Sequence, residues 1–116
     1  MPTIYRILGQ TAPAVATNTD VYQVPANTQS IISTISVSNT TSSTATYRIA
    51  IRQAGETLSA KNYVVYDSSL AANDSIAITL GATLRNATGT LASGDVVTVY
   101  SNTGGVSVTL FGTEIS

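Results

Sequence analysis

The 116 residues suffice for one domain, 1–116, with a modest hydrophobic core. Nineteen Thr and 14 Ser exceed a quarter of the chain, with 9% charged and 43% apolar residues; this excludes intrinsic disorder and favours sheet over helix. The chain has no His and no Cys, which removes the commonest general base, thiolate chemistry, disulfides, zinc-finger sites and haem ligation.

The elements follow in chain order as short alternating runs. The first, over 3–8, carries Ile4, Tyr5, Ile7 and Leu8 before Gly9. The second, 20–24, carries Val21, Tyr22 and Val24 and stops at Pro25. In 30–39, period two sets Ile31, Ile35 and Val37 on one face, with Ser33 interrupting. In 45–52, Tyr47, Ile49 and Ile51 point one way and Thr46, Arg48, Ala50 and Arg52 the other. The run 58–66 contains Tyr63-Val64-Val65-Tyr66, which suits a strand covered on both faces and puts the two tyrosines on opposite sides. Ile76, Ile78 and Leu80 alternate in 75–80, and Val97 and Val99 lie in 95–101. The last strand, 106–112, sends Val106, Val108 and Leu110 inward and ends at Phe111 and Gly112.

The separators are turn chemistry: Pro25-Ala26-Asn27, Asn39–Ser43, Ala54-Gly55-Glu56, Ala72-Asn73-Asp74, Ser93-Gly94-Asp95 and Asn102–Gly105. No fixed repeat emerges, so a solenoid or propeller is not expected. Eight strands at this spacing predict an all-β fold, a single antiparallel β-sandwich or small barrel. The expected core is Val21, Ile35, Val37, Tyr47, Ile49, Ile51, Val65, Ile76, Ile78, Leu80, Val97, Val99, Val108 and Leu110, with Tyr22 and Tyr100 also packed in it and their hydroxyls reaching the rim.

Chemistry-bearing motifs are sparse. Asp20, Asp67, Asp74 and Asp95 all fall at strand ends or turns, where Asp bonds its own backbone, so no catalytic residue is expected. No calcium-loop spacing occurs, although Asn73-Asp74 and Gly94-Asp95 carry the oxygen ligands such a site uses. No metal ligand set and no cofactor are expected. The net charge of −1 and the scatter of Arg6, Arg48, Arg52, Lys61 and Arg85 argue against nucleic acid. The first residues lack the charged and apolar regions of an export signal, and no apolar run exceeds Tyr63–Tyr66, so no membrane span is expected. Asn39-Thr40-Thr41, Asn73-Asp74-Ser75 and Asn86-Ala87-Thr88 match the glycosylation pattern, which a chain this rich in Asn, Ser and Thr produces by chance.

Several stretches carry a family resemblance. Val21-Tyr22-Gln23-Val24-Pro25-Ala26-Asn27-Thr28-Gln29-Ser30, running into Ile31–Asn39 and the Thr40–Thr44 tip, resembles the opening of small virion structural proteins of tailed bacteriophages. Leu70–Ser75 and Leu91–Tyr100 are similar to their later hairpins, and Tyr5–Gln10 and Phe111–Ser116 resemble the ends of marine and cyanobacterial phage versions. The resemblance implies an immunoglobulin-like or jelly-roll-type sandwich in the virion. It would be a non-enzymatic capsid decoration or cement protein, or a tail, neck or baseplate component, assembled with other virion proteins and as a homo-oligomer. The sequence agrees on its own terms: low charge lets copies pack closely, and strand edges almost without Lys suit a subunit whose neighbours cover them. Ile4, Tyr5 and Ile7 at one end and Phe111 and Ile115 at the other are the expected interface residues, unless the first and last strands simply pair within one subunit. A second reading is an adhesin or carbohydrate-binding β-module holding a ligand through Tyr and Asn.

Overall fold

The structure, a computed structural model, describes residues 3–116. Met1 and Pro2, where the export-signal reading begins, lie outside them. Eight strands follow in order: β1 Thr3–Thr11, β2 Thr19–Gln23, β3 Thr28–Asn39, β4 Ala45–Arg52, β5 Tyr63–Leu70, β6 Ser75–Asn86, β7 Val96–Ser101 and β8 Val106–Ile115. Among the described residues there is no α-helix, only three short 3-10 turns, and no helix long and apolar enough to cross a membrane.

Two antiparallel sheets form, β1-β8-β3-β6 and β2-β7-β4-β5. The pairing has one rule. First strand meets last, second meets seventh, third meets sixth and fourth meets fifth. The chain is thus one long antiparallel ribbon wrapped on itself, closed into two sheets by β8 on β3 and β7 on β4. Of the two sandwiches the sequence left open, this order selects the jelly roll over the immunoglobulin arrangement, which pairs strands 1-2-5-4 and 3-6-7.

β1 and β8 each run three residues past the sequence reading, to Thr11 and Ile115, and two other strands depart further. β5 starts at Tyr63 rather than Leu58, because the Ser59 amide donates to the Asn62 side-chain oxygen at 2.8 Å and folds 59–62 into a capped turn. β6 runs on past Leu80 to Asn86. Gly81, at φ +61°, lets the strand bulge opposite Ser33 of β3 and continue.

The core lies between the sheets. Ile35, Val37, Tyr47, Ile49, Val97, Val99, Val108 and Leu110 are buried as expected, joined by Leu8, Tyr22, Val24, Ile32, Leu70, Leu84 and Val106. Val21, Ile51, Val65, Ile78 and Leu80 are only half-buried against it. Ile76 is corrected outright: it pairs with Val37 but sits on the edge strand β6 and stays 42% exposed. Tyr100 also leaves the expected core, lying half-buried beside Arg48 on the outer side of the second sheet.

A polar network crosses the interior, and at the end of β3 the Asn39 side-chain amide donates to the Leu70 carbonyl of β5 at 3.1 Å. The Tyr22 hydroxyl of β2 donates to Glu114 Oε2 of β8 at 2.6 Å. Its single proton is thereby committed, so the Ser30 hydroxyl of β3 donates to it, also at 2.6 Å. Arg6 pairs with the other Glu114 oxygen at 3.5 Å. Among the described residues no buried side-chain polar atom lacks a partner, so the network spans the sheets without an orphaned group.

Ile49 is fully buried, so Ile49→Ala is expected to cost about 2–4 kcal/mol through lost burial and a cavity. A denaturant titration showing less than about 0.5 kcal/mol would instead mark a surface position. Burial, and then the bond to Glu114, raises the Tyr22 phenol above its ordinary value. A phenol that ionises later in the folded chain adds stability that is intact below about pH 10 and is withdrawn as pH rises through its folded pKa. Tyr22→Phe is expected to flatten that alkaline loss while costing about 1–3 kcal/mol at neutral pH, since Glu114 loses its donor. An alkaline unfolding curve as steep in the variant as in the parent would refute this account.

Candidate functional site

Cross-strand register decides which residues share the outer face of the first sheet. One row across it runs Tyr5, Thr113, Ile31, Thr83, and the next runs Ile7, Phe111, Thr34, Thr79. Tyr5 is 81% exposed, Ile7 52%, and Phe111 and Ile31 40% each. Ile115 lies a row beyond Tyr5, between Thr3 and Gln29. It lines a shallow cavity of about 200 Å³ with Gln29, Ile31, Thr83 and Arg85.

The opposite half of the face is hydroxylic: Gln10, Thr109 and Ser36 in one row, Ser107, Ser38 and Ser75 in another. Arg85, opposite Gln29 at one end, is the one charge among the described outward residues of this sheet.

The structure therefore brings Tyr5, Ile7, Phe111 and Ile115 onto one surface. Ile4 does not join them. It pairs with Glu114, which reaches inward to Tyr22, so Ile4 flanks the interior side of edge strand β1 and is 50% exposed. Ile31 is the member that sequence parity hid. One extra residue at Ser33 reverses the alternation of β3, turning Ile31 outward while Ile32, Ile35 and Val37 point in. The Ser33 hydroxyl donates to the Phe111 carbonyl at 3.1 Å across this bulge. The first and last strands do pair within one subunit, Thr3 with Ile115 through Thr11 with Val108; that pairing orders them and leaves their outer side chains uncovered.

The outer face of the second sheet holds a different cluster. Arg48 lies between two rings, its guanidinium carbon 4.3 Å from the centroids of both Tyr66 and Tyr100. Asp67 accepts from Arg48 Nε at 2.6 Å and from an Nη at 3.3 Å, and this bond holds the guanidinium pKa above its ordinary value. Tyr63 meets Tyr66 edge to face, centroids 4.9 Å apart and planes at 81°. The two tyrosines thus share a side, contrary to the alternation read from the sequence. Ala50 and Ile49 pair with Tyr63 and Val65, so one extra residue, Val64, resets the parity of β5. Ser59, Ala60, Tyr63 and Tyr66 line an open cavity of about 600 Å³.

The carboxylates have structural partners. Asp20 takes both oxygens to Arg52 at 3.0 Å and accepts from Thr98 at 2.8 Å. Asp74 accepts from the Ser75 amide at 2.8 Å. Asp95 accepts from the Ala54 and Arg85 amides at 2.8 and 3.1 Å. Glu56 accepts from Asn62 and pairs with Lys61 at 3.1 Å, which hold its pKa below the usual carboxylate value. No group of three metal-ligating side chains gathers among the described residues.

Two of the glycosylation-like triplets have a structural use. Asn39 ends β3 and Asn86 ends β6, each almost fully buried. Each side-chain amide donates to the carbonyl four residues on, Ser43 at 2.8 Å and Thr90 at 2.9 Å. Each side-chain oxygen accepts from the amide and hydroxyl of the threonine two residues on, Thr41 or Thr88. The spacing Asn-x-Thr-x-Ser/Thr is thus a self-bonded loop, used twice.

No family model and no curated protein matches the chain. Among solved structures it is similar to a chain in the structure of the infectious bursal disease virus Gx strain, with 12% identity over 97% of this chain and a TM-score of 0.54. It is also similar to a chain of the T13 viral particle of infectious bursal disease virus, at 11% identity, 97% coverage and a TM-score of 0.53. The chain spans about a third of the length of each, 32% and 29%. At this identity the likeness is one of fold.

Because every aspartate is engaged by an amide, a hydroxyl or a guanidinium, chelation with excess EDTA is expected to leave the melting temperature unchanged. A fall of many degrees that calcium reverses would assign an ion to the Asp74 or Asp95 loop.

Proposed function

We propose that this chain is a non-enzymatic structural protein of a phage virion. It acts as a capsid decoration or cement protein, or as a tail-associated component, and it docks through the outer face of its first sheet. One observation carries the reading: Tyr5, Ile7, Phe111 and Ile31 stand exposed together on a face whose single charge lies at its end. Solvent gives such a patch no stabilisation, whereas a partner surface does. The fold likeness to chains of a viral particle and the resemblance of the strand-turn vocabulary to phage virion proteins support the same reading.

The first occupant of the face is a second copy of the chain. Away from Arg85 at its end the face carries no charge and so no sign to complement, identical faces meet with little repulsion, and a self-complementary patch is what a symmetric dimer uses. The four strands of the face span roughly 20 by 33 Å, on the order of 700 Å² before side-chain relief. That is close to the ~800 Å² per partner of a standard interface. Edge strand β1, with Arg6 as its lone charge, adds unpaired backbone groups beside the patch.

The test is the double variant Ile7→Ser, Phe111→Ser, which leaves the buried core untouched. The parent is expected to run as an oligomer in light scattering and to enter purified particles. The variant is expected to melt near the parent temperature, run as a monomer and be lost from particles. Unchanged mass and incorporation in the variant would sink the proposal, as would a parent that is monomeric and absent from particles.

A further inference from the structure

We infer that the corner formed by Tyr63 and Tyr66 on the second sheet is a binding site for a neutral pyranose saccharide. It is independent of the docking face, since it lies on the other sheet and stays open when the first sheet is covered.

The geometry is that of a built corner. Two rings at 81° make a floor and a wall beside the cavity of about 600 Å³, a volume within the range of small-ligand sites. Tyr66 is 59% exposed, so the core does not require it. It is nevertheless held firmly, since Arg48 stacks on it at 4.3 Å while bonded to Asp67 and stacked on Tyr100. On the other side the Ser59–Asn62 turn is fixed by the Ser59 amide on Asn62 Oδ1 and by Asn62 Nδ2 on Glu56 at 2.9 Å. Binding to such a site orders little that is not already ordered.

Charge and shape select the ligand. Both nearby cations are neutralised, Arg48 by Asp67 and Lys61 by Glu56, so the corner offers no free positive charge to a phosphate or an anionic polymer. What remains is flat apolar ring surface edged by the hydroxyls of Ser59, Tyr63 and Tyr66. A pyranose has the matching pattern: a C–H face that lies on an aromatic ring and equatorial hydroxyls at its rim that bond to such groups.

The experiment is a proton–carbon NMR titration of the tyrosine rings in the intact chain. The probes are cellopentaose, maltopentaose, mannopentaose and chitopentaose, with a ten-residue polyproline peptide and oligo-dT as competing ligand classes. Each is taken to about 10 mM, which reaches dissociation constants near 1 mM. At least one saccharide is expected to shift the Tyr63 and Tyr66 resonances and leave Tyr5 unmoved. Tyr66→Ala is expected to lose binding at least tenfold, and Tyr66→Phe, which keeps the ring, to retain it; unchanged melting curves establish that both variants fold. No shift with any saccharide, shifts with polyproline or oligo-dT alone, or saccharide binding that survives Tyr66→Ala would each overturn the inference. None of these outcomes depends on whether the first sheet docks, because Ile7→Ser, Phe111→Ser leaves the corner intact.

Discussion

Everything on the first sheet depends on how alternation is reset along it. Strand β8 runs without a break, while β1 inserts Leu8 and β3 inserts Ser33 at the level where β8 passes from Leu110 to Gly112. β6 answers with its own irregularity at Leu80 and Gly81. Below that level Ile35 and Val37 point into the sandwich; above it the same count would carry Ile31 inward, and the extra residue carries Ile32 there instead. The crowding at this level leaves no room for a side chain at residue 112. A Cβ on Gly112 would collide with the Ile31 carbonyl and the Leu8 side chain. The same shift that closes the core turns Ile7 and Ile31 outward, so the apolar half of the face is a by-product of interior packing.

The wrapped ribbon explains why a chain with so few charges still specifies one arrangement. Each strand finds its antiparallel partner by folding back once, and the two joins β8–β3 and β7–β4 then set the sheets face to face. Apolar pairs alone would tolerate sliding of one sheet over the other. The Tyr22–Ser30–Glu114 contact ties β2 to β3 and β8 across the interior. A slipped sheet would leave a carboxylate buried without its donor, which costs far more than a misplaced methyl group.

Much of the fold was legible in the residues. Period-two alternation and Gly, Asn and Pro punctuation located all eight strands, and β4 to the residue. What stayed hidden shares one cause. Pattern counting assumes that each residue advances the alternation by one step, and Val64, Ser33 and Leu8 each break that step without a distinctive side chain. For that reason the sequence separates Tyr63 from Tyr66, which touch, and groups Ile31 with Ile35, which oppose. The start of β5 was missed because Leu58-Ser59-Ala60 looks strand-like until the Asn62 side chain folds back on it. Ile4, Tyr5, Ile7, Phe111 and Ile115 were legible as apolar side chains at the chain ends; that four of them share one surface and Ile4 does not follows from register alone.

The paired Asn39 and Asn86 loops bear on chemical ageing. Asparagine is among the heat-labile residues of a protein, and it decays when the next backbone nitrogen attacks its side-chain amide. At Asn39 the amide and its oxygen are both held, and the attacking nitrogen, that of Thr40, is itself bonded to the Gly105 carbonyl at 2.9 Å. At Asn86 the amide donates to the Val24 and Thr90 carbonyls, and the side-chain oxygen accepts from the Thr88 amide and hydroxyl. No asparagine in the chain is followed by glycine, the neighbour that leaves that nitrogen freest to turn inward. These two asparagines therefore keep their covalent structure for as long as their loops stay folded.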